Sequence, residues 1–304
     1  PLTCRDYTVG CICPMGVELA PVEAMLDNVH PSLPTQRAQN NYTLGEICGH
    51  NAVIAVLPEI GNNAAATVAV QLLNDFPCVR FSLLVGIGGG VPDEEADGND
   101  IRLGDVVVSK PTDSFGGVVQ FDFGKEASAG FKRTGFLNKP PIILRSAVQK
   151  LIARHEKEES RILQHMEEMI SKFPKMGEKY IYPGGGQDQL FRSHYDHQGG
   201  STCRFCDKTE IVNRPVRSNP YPHIHYGTIG SANKVMKNGR ERDNLKMETK
   251  ILCVEMEAAG LMDTFPCLVV RGICDYADSH KNKKWQPYAA AVAAAYMKEL
   301  LSVI

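Results

Sequence analysis

Residues 254–259 read VEMEAA, and residues 269–275 read VVRGICD. In the first stretch two glutamates precede apolar residues, which predicts a helix over residues 258–262 with carboxylates at its start. The second stretch is apolar until Asp275, which predicts a short buried strand that ends on an acid. Carboxylates at a helix start, beside a strand with an acid at its carboxyl end, are typical of an α/β active site. The alternative interpretation is an ordinary helix–strand unit whose acids are caps and surface charges.

Strand and helix patterns alternate along the rest of the chain. Strands are predicted at residues 7–13, 43–48, 52–57, 81–85, 103–109, 117–123 and 224–231. Helices are predicted at residues 17–30, 64–76, 142–173 and 288–303. Strands that alternate with helices imply a central, mixed and mostly parallel sheet with helices on both faces. The predicted fold class is therefore a three-layer α/β/α structure.

One segment, at about residues 174–222, departs from this pattern. It is rich in glycine, histidine and arginine, and it shows no helical or strand period. Such a stretch predicts a loop-rich insert. We therefore expect a single domain over residues 1–304 that carries this insert.

Composition limits the class of protein. With 304 residues, of which 43% are hydrophobic, the chain can bury one large core. A net charge of -2 provides no field that recruits nucleic acid or an anionic membrane. No apolar run approaches the roughly 18 residues of a membrane span, and no signal peptide opens the chain. Several of the 10 cysteines lie in apolar runs and are interpreted as core residues. We expect a cytoplasmic protein.

The two quoted stretches, together with the turn after the first strand, resemble the nucleoside phosphorylase superfamily. The closer resemblance is to its purine nucleosidase and phosphorylase branch, and to the version of that domain near the N-terminus of fungal NLR-type proteins. This implies hydrolysis of the N-glycosidic bond of a purine nucleoside or nucleotide, with adenine the expected base. It also implies self-association, no cofactor, and a place in a longer chain with a role in innate immunity.

The resemblance assigns roles to four residues. Asp275 matches the general acid that protonates the purine at N7. Glu257 matches the carboxylate that accepts hydrogen bonds from the ribose hydroxyls, and Met256 matches the residue that packs under the sugar. Glu18, in the turn after the first strand, matches the glutamate that activates water in the nucleosidases. Each has an ordinary structural alternative, such as a helix cap or a core methionine.

Four further positions are expected to bind the substrate. Gly88 and Gly89 lie in the glycine-rich run at residues 86–90, interpreted as a loop whose backbone approaches the nucleoside. This run fails the dinucleotide fingerprint, because Val91 takes the place of its third glycine. Ile60 matches a position near the 5′ end of the substrate. Val235 matches a position near the base, where relatives place an aromatic ring.

Two other functions stay open from the sequence. Phosphorolytic relatives hold phosphate with arginines, and the first turn offers Glu18 instead, which favours water as the nucleophile. Arg37 lies where some relatives have a phosphate-binding arginine, so phosphorolysis is an alternative. The second alternative is a module that binds a nucleoside as a sensor, without turnover. Such a module would not need a proton donor.

The insert suggests two hypotheses. Its basic residues are predicted either to meet a 5′-phosphate chain or to form a solvated loop: Arg192, Arg204, Lys208, Arg214 and Arg217. Its C-x-x-C motif and two histidines are compatible with a closed zinc site. The second C-x-x-C that would specify such a site is missing. The residues concerned are His194, His197, Cys203 and Cys206.

Overall fold

The computed structural model describes residues 2–35, 39–93, 99–128, 130–219 and 221–304. The strands are β1 (Val9–Cys13), β2 (Asn28–His30), β3 (Tyr42–Ile47), β4 (His50–Val56), β5 (Phe81–Gly90), β6 (Val106–Ser109), β7 (Val118–Gln120), β8 (Gly124–Ala127), β9 (Gly130–Arg133), β10 (Ile224–Gly227), β11 (Ile229–Ser231), β12 (Cys253–Glu255) and β13 (Cys267–Asp275). The α-helices are α1 (Gly16–Ala24), α2 (Asn62–Asp75), α3 (Ile142–His155), α4 (Ile162–Lys172), α5 (Gly239–Thr249) and α6 (Gln286–Leu301).

Within these residues the main sheet has eleven strands. Its central path runs β10-β6-β13-β5-β1-β4-β3-β2, while β12 pairs with β5 and β11 links β12 to β7. Strands β13, β5, β1 and β4 run parallel to one another. Strands β3 and β6 pair antiparallel with β4 and β13. The predicted mixed, mostly parallel sheet is confirmed.

Apolar side chains alternate between the two faces of the central strands, which places helices on both sides. Cys11, Leu83 and Val270 pack in one core with α1, α3, α4 and α6. Ile12 and Leu84, their neighbours in sequence, pack in a second core with α2. The three-layer arrangement follows from this alternation. No helix in the described ranges is both long and apolar enough to cross a bilayer.

The helix predicted at residues 258–262 is wrong. Strand β12 continues through Glu255, and a 3-10 turn, Ala258–Gly260, follows it. The Glu255 carboxylate accepts hydrogen bonds from the backbone N–H groups of Glu257 and Ala258 and holds the turn closed. Glu255 is 6% exposed, so it is a buried cap and not a surface charge.

Four other element predictions need correction. The helix predicted at residues 17–30 ends at Ala24, and residues 28–30 form β2. The glycine-rich run is not a loop, because β5 continues through Gly90. The helix predicted at 142–173 is two helices, and between them the buried Glu299 carboxylate accepts hydrogen bonds from the Ser160 hydroxyl and the Arg161 N–H. The strand predicted at 224–231 divides into β10 and β11.

Between α4 and β10 the described chain has little regular structure. It forms short 3-10 turns and one isolated bridge, between Phe191 and Ile211. Arg214 and Tyr276 connect this insert to the segment after β13, because the guanidinium donates a hydrogen bond to the Tyr276 hydroxyl at 2.9 Å. The insert therefore packs beside the carboxyl end of β13.

Candidate active site

The eight residues predicted to act on or bind the substrate all line one cavity of about 290 Å³. The cavity lies at the carboxyl ends of β1, β5 and β13, where an open parallel sheet usually binds its ligand. The eight residues are Glu18, Ile60, Gly88, Gly89, Val235, Met256, Glu257 and Asp275. Residues from distant parts of the chain thus share a space of nucleoside size.

Glu18 lies in the first turn of α1, directly after β1, and is 1% exposed. Its Oε1 accepts a hydrogen bond of 2.7 Å from the backbone N–H of Ile87. Its Oε2 has no hydrogen-bond partner among the described residues. Burial raises the pKa of Glu18 to about 8, although the nearby Arg271 acts in the opposite direction. A carboxyl group with this pKa can act as a base near neutral pH.

Arg271, a residue that the sequence did not single out, connects the acids. It is 1% exposed on β13, and its Nη2 lies 2.5 Å from Glu255 Oε2 and 3.0 Å from Glu257 Oε2. Its Nη1 donates to the Ile87 carbonyl and lies 3.7 Å from Glu18 Oε1. One guanidinium thus faces three buried carboxylates. Although burial would lower the Arg271 pKa, these acids raise it, so the side chain stays charged.

Glu257 presents its carboxylate to the same cavity. Its Oε1 accepts a hydrogen bond of 3.1 Å from the Gly61 N–H, and its Oε2 accepts one from Arg271. Burial is the main cause of its raised pKa. Each oxygen keeps capacity for a further donor, such as a sugar hydroxyl. Met256, the preceding residue, adds an apolar wall.

Asp275 ends β13 with its carboxylate held on both oxygens. Its Oδ1 accepts a hydrogen bond of 2.9 Å from the Ala277 N–H. Its Oδ2 lies 3.1 Å from the Lys281 ammonium and accepts from the Cys274 thiol at 3.1 Å. Burial would lower the Lys281 pKa, but Asp275 raises it, which keeps the ammonium charged. The carboxylate therefore has a fixed orientation beside a cation.

The glycines of β5 make room for these acids. A Cβ atom on Gly86 would lie 2.3 Å from Glu18 Oε1 and 2.6 Å from Arg271 Nη1. On Gly89 it would lie 2.9 Å from Asp275 Oδ1. The glycine-rich run is therefore explained by the packing of side chains against a strand, at least as much as by backbone access to a ligand.

Ile60 and Val235 form the more open part of the cavity and are each 45% exposed. Lys234 and Lys283 line it as well, and the sequence did not identify them. No aromatic side chain lines the cavity within the described part of the chain. Arg37, the candidate phosphate ligand, lies outside the described residues.

Two of the basic residues in the insert point elsewhere. Arg217 contacts both Asp105 oxygens at 2.7 Å, and Arg214 lies 3.0 Å from Asp188 Oδ1. Both arginines line a separate cavity of about 730 Å³. Because each has a carboxylate partner, they hold the insert together and do not face the acids of the 290 Å³ cavity.

Three of the four candidate metal ligands lie close together, and the fourth lies apart from them. The ligand atoms of His197, Cys203 and Cys206 lie within 4.8 Å of one another. The His194 side chain is 60% exposed, and its Nε2 lies 3.4 Å from Glu210. His194 lies outside this cluster, because its ring turns toward solvent and an acid.

Of two site residues that the sequence did not single out, one had a usable signal. Arg271 stands alone in the apolar run VVRGICD, and a guanidinium in a buried strand needs buried carboxylates. Lys281 follows Asp275 in a short loop, where its reach to that acid depends on the turn at Ala277, a residue with φ of 53°. The first could have been inferred, whereas the second required the coordinates.

Comparisons with known proteins agree on one family. The model of the phosphorylase superfamily matches residues 8–302. One relative is a nucleotide-binding leucine-rich repeat (NLR)-like protein from Hyaloscypha variabilis, which is 46% identical over 99% of this chain. This chain spans only 30% of the length of that relative. A 5′-methylthioadenosine/S-adenosylhomocysteine nucleosidase from Mycobacterium bovis is 22% identical over 98% of this chain and 96% of its own length.

Among solved structures, a Helicobacter pylori variant of the same nucleosidase, with 5′-methylthioadenosine in its active site, has the same fold. Its TM-score is 0.60 at 15% identity, with 98% of this chain and 99% of that chain covered. The family match spans nearly the whole sequence, and the fold agrees with it. The chain belongs to the phosphorylase superfamily.

Proposed function

We propose that this domain hydrolyses the N-glycosidic bond of a purine nucleoside or nucleotide and releases the free base, with adenine the expected base. The observation that carries the proposal is the meeting of Glu18, Glu257 and Asp275 in one cavity of about 290 Å³. The names of its relatives, which are nucleosidases of adenosine derivatives, support the substrate class.

The three acids divide the chemistry. Glu18 takes a proton from water as the water oxygen bonds to C1′ of the ribose. The bond from C1′ to the base breaks, and Asp275, which takes up a proton from solvent before this step, donates it to N7 of the departing purine. Glu257 accepts hydrogen bonds from the ribose hydroxyls and orients the oxocarbenium-like sugar between them. Glu18 gains one proton and Asp275 loses one. Glu18 then releases its proton to solvent and Asp275 binds one, which restores the starting state.

Several contacts support water over phosphate as the nucleophile. Glu18 Oε2 is buried without a partner among the described residues, so it can accept a hydrogen bond from water. Arg271, the buried cation beside it, already faces three carboxylates. Lys281 pairs with Asp275. A phosphate dianion next to Glu18 would therefore have to share Arg271 with three carboxyl groups.

The direct test is product analysis. Purified domain is incubated with adenosine, inosine, guanosine, AMP and ATP, with and without phosphate, and free base and sugar are measured. We expect free base with ribose or ribose phosphate, independent of added phosphate. Phosphate-dependent release of ribose 1-phosphate would favour the phosphorylase alternative. Tight binding without base release would favour the sensing module.

The pH profile tests the role of Glu18. Because a base must be deprotonated, kcat/KM for p-nitrophenyl riboside, whose leaving group needs no proton from Asp275, is expected to rise about tenfold per pH unit below pH 8 and to level above it, since the pKa of Glu18 is about 8. Glu257→Gln should keep this limb at lower overall activity, whereas Glu18→Gln should lose it. A profile that is flat from pH 6 to pH 9 would contradict the assignment.

The same pKa has a consequence for stability. The pKa of Glu18 is raised from 4.5 to about 8 in the folded chain, so its contribution to folding declines as pH rises between these values. Glu18→Gln should therefore gain stability relative to wild type at pH 9 and lose that advantage at pH 5. Thermal unfolding at the two pH values measures this without any need for turnover.

We also propose that the domain acts within a longer, NLR-like chain as its catalytic effector. The 46% identity to an NLR-like protein of which it spans 30% supports this arrangement. Self-association, implied by the resemblance to oligomeric relatives, stays a prediction.

A further inference from the structure

A second site lies in the insert, away from the three catalytic acids. One imidazole nitrogen of His197 and the sulfur atoms of Cys203 and Cys206 lie within 4.8 Å of one another. Nitrogen and sulfur donors in this combination are the ones that Zn²⁺ prefers. In a tetrahedral zinc site such atoms are about 3.5–3.8 Å apart, so a small closing movement would complete the geometry.

Local structure brings the two cysteines together. The 3-10 turn Cys203–Phe205 ends with a hydrogen bond of 3.3 Å from the Cys206 N–H to the Cys203 carbonyl, and both thiols are free. His197 arrives from the other side, where its backbone N–H donates to the Ser279 hydroxyl at 2.9 Å. The cluster therefore joins the C-x-x-C turn to the segment that follows Asp275.

His280 is the independent observation that points to a ligand. The residue is 8% exposed, and neither ring nitrogen has a hydrogen-bond partner among the described residues. Its ring stacks on Phe191, and its centroid lies 5.6 Å from that of His197. An imidazole buried without a partner is costly, and a metal ion beside it would remove that cost.

The surroundings of His280 fit a metal ligand. Asp278 Oδ1 lies 3.6 Å from His280 Nδ1. A carboxylate behind one ring nitrogen commonly orients the other toward zinc. His280 lies outside the group of atoms within 4.8 Å, so its ring would turn toward the ion to complete four ligands.

We propose that His197, Cys203, Cys206 and His280 bind one Zn²⁺ that fastens the insert to the segment after β13. Binding converts the two thiols to thiolates and releases two protons. Four protein ligands leave no open position, so the ion is structural. Cys203 lines a cavity of about 430 Å³ whose wall also includes Asp275, so the ion would hold the insert in place beside the general acid.

The test uses the full chain, purified without a histidine tag and loaded with Zn²⁺ before desalting. Metal analysis is expected to give about one zinc per chain for wild type and for the controls Cys78→Ser and His194→Ala. Cys203→Ser and Cys206→Ser should each lose most of it. His280→Ala should bind at least about tenfold more weakly in a competition with a chelating dye.

A spectroscopic readout on wild type avoids dependence on folded variants. Co²⁺ in place of zinc should give the charge-transfer band of thiolate ligands and the intense visible bands of a tetrahedral ion. Removal of the metal by a chelator should speed proteolysis within the insert.

Wild type that takes up no zinc, a Cys203–Cys206 disulfide in the freshly purified protein, or full zinc retention in both cysteine variants would overturn the proposal. Unchanged affinity in His280→Ala would overturn the assignment of the fourth ligand. None of these measurements requires catalytic turnover, so they stand apart from the proposed activity.

Discussion

Replacing Asp275 with asparagine is expected to lower the hydrolysis of adenosine by about 10²–10⁴-fold. The asparagine can still accept the hydrogen bond from the Ala277 N–H, which holds the side chain in place. It has no acidic proton to give to the base, and it loses the ion pair with Lys281. The departing purine must then leave as an anion, which raises the barrier.

A substrate that needs no protonation separates this role from a structural one. p-Nitrophenyl riboside releases a stable phenolate, so Asp275→Asn should cleave it at a rate close to that of wild type while it loses activity toward adenosine. Glu167→Gln, an exposed acid on α4, is the matched control and should change neither rate. Equal losses on both substrates would show that Asp275 is not the proton donor.

Replacing Arg271 with methionine is expected to destabilise the fold by about 3–5 kcal/mol, because buried carboxylates lose their shared cation. The melting temperature should fall by on the order of 10 °C. Activity should fall as well, since Glu257 and Glu18 would no longer be held beside each other. Arg5→Met, at an exposed position, is the control and should leave stability unchanged.

Charge, and not side-chain volume, is the expected cause. Adding Glu255→Gln and Glu257→Gln to Arg271→Met removes the uncompensated negative charge and should recover part of the lost stability. Arg271→Met alone should also lose less stability at pH 5 than at pH 8, because its buried carboxylates bind protons at pH 5. Thermal unfolding of the three proteins at both pH values measures this. Wild-type stability in Arg271→Met would contradict the charge network.

Local patterns predicted most of the framework. The strands at residues 43–48, 52–57 and 81–85 are predicted from the sequence because apolar runs and turn residues act over a few positions. The helix predicted at residues 258–262 is wrong: the chain forms a 3-10 turn there, and the buried Glu255 carboxylate caps the N–H groups of Glu257 and Ala258. The capping role of Glu255 could not be assigned from the sequence, because it depends on where the side chain lies relative to the turn.

The sequence by itself determined which acids end up at the carboxyl ends of buried strands, since this depends on short runs of residue types. Only the tertiary structure decided how those acids behave. Glu18 has a pKa of about 8 because the fold buries it, while Arg271 acts in the opposite direction; β5 and Arg271 come from parts of the chain far from α1. Electrostatic energy depends on distances in space and on burial, which no local pattern contains.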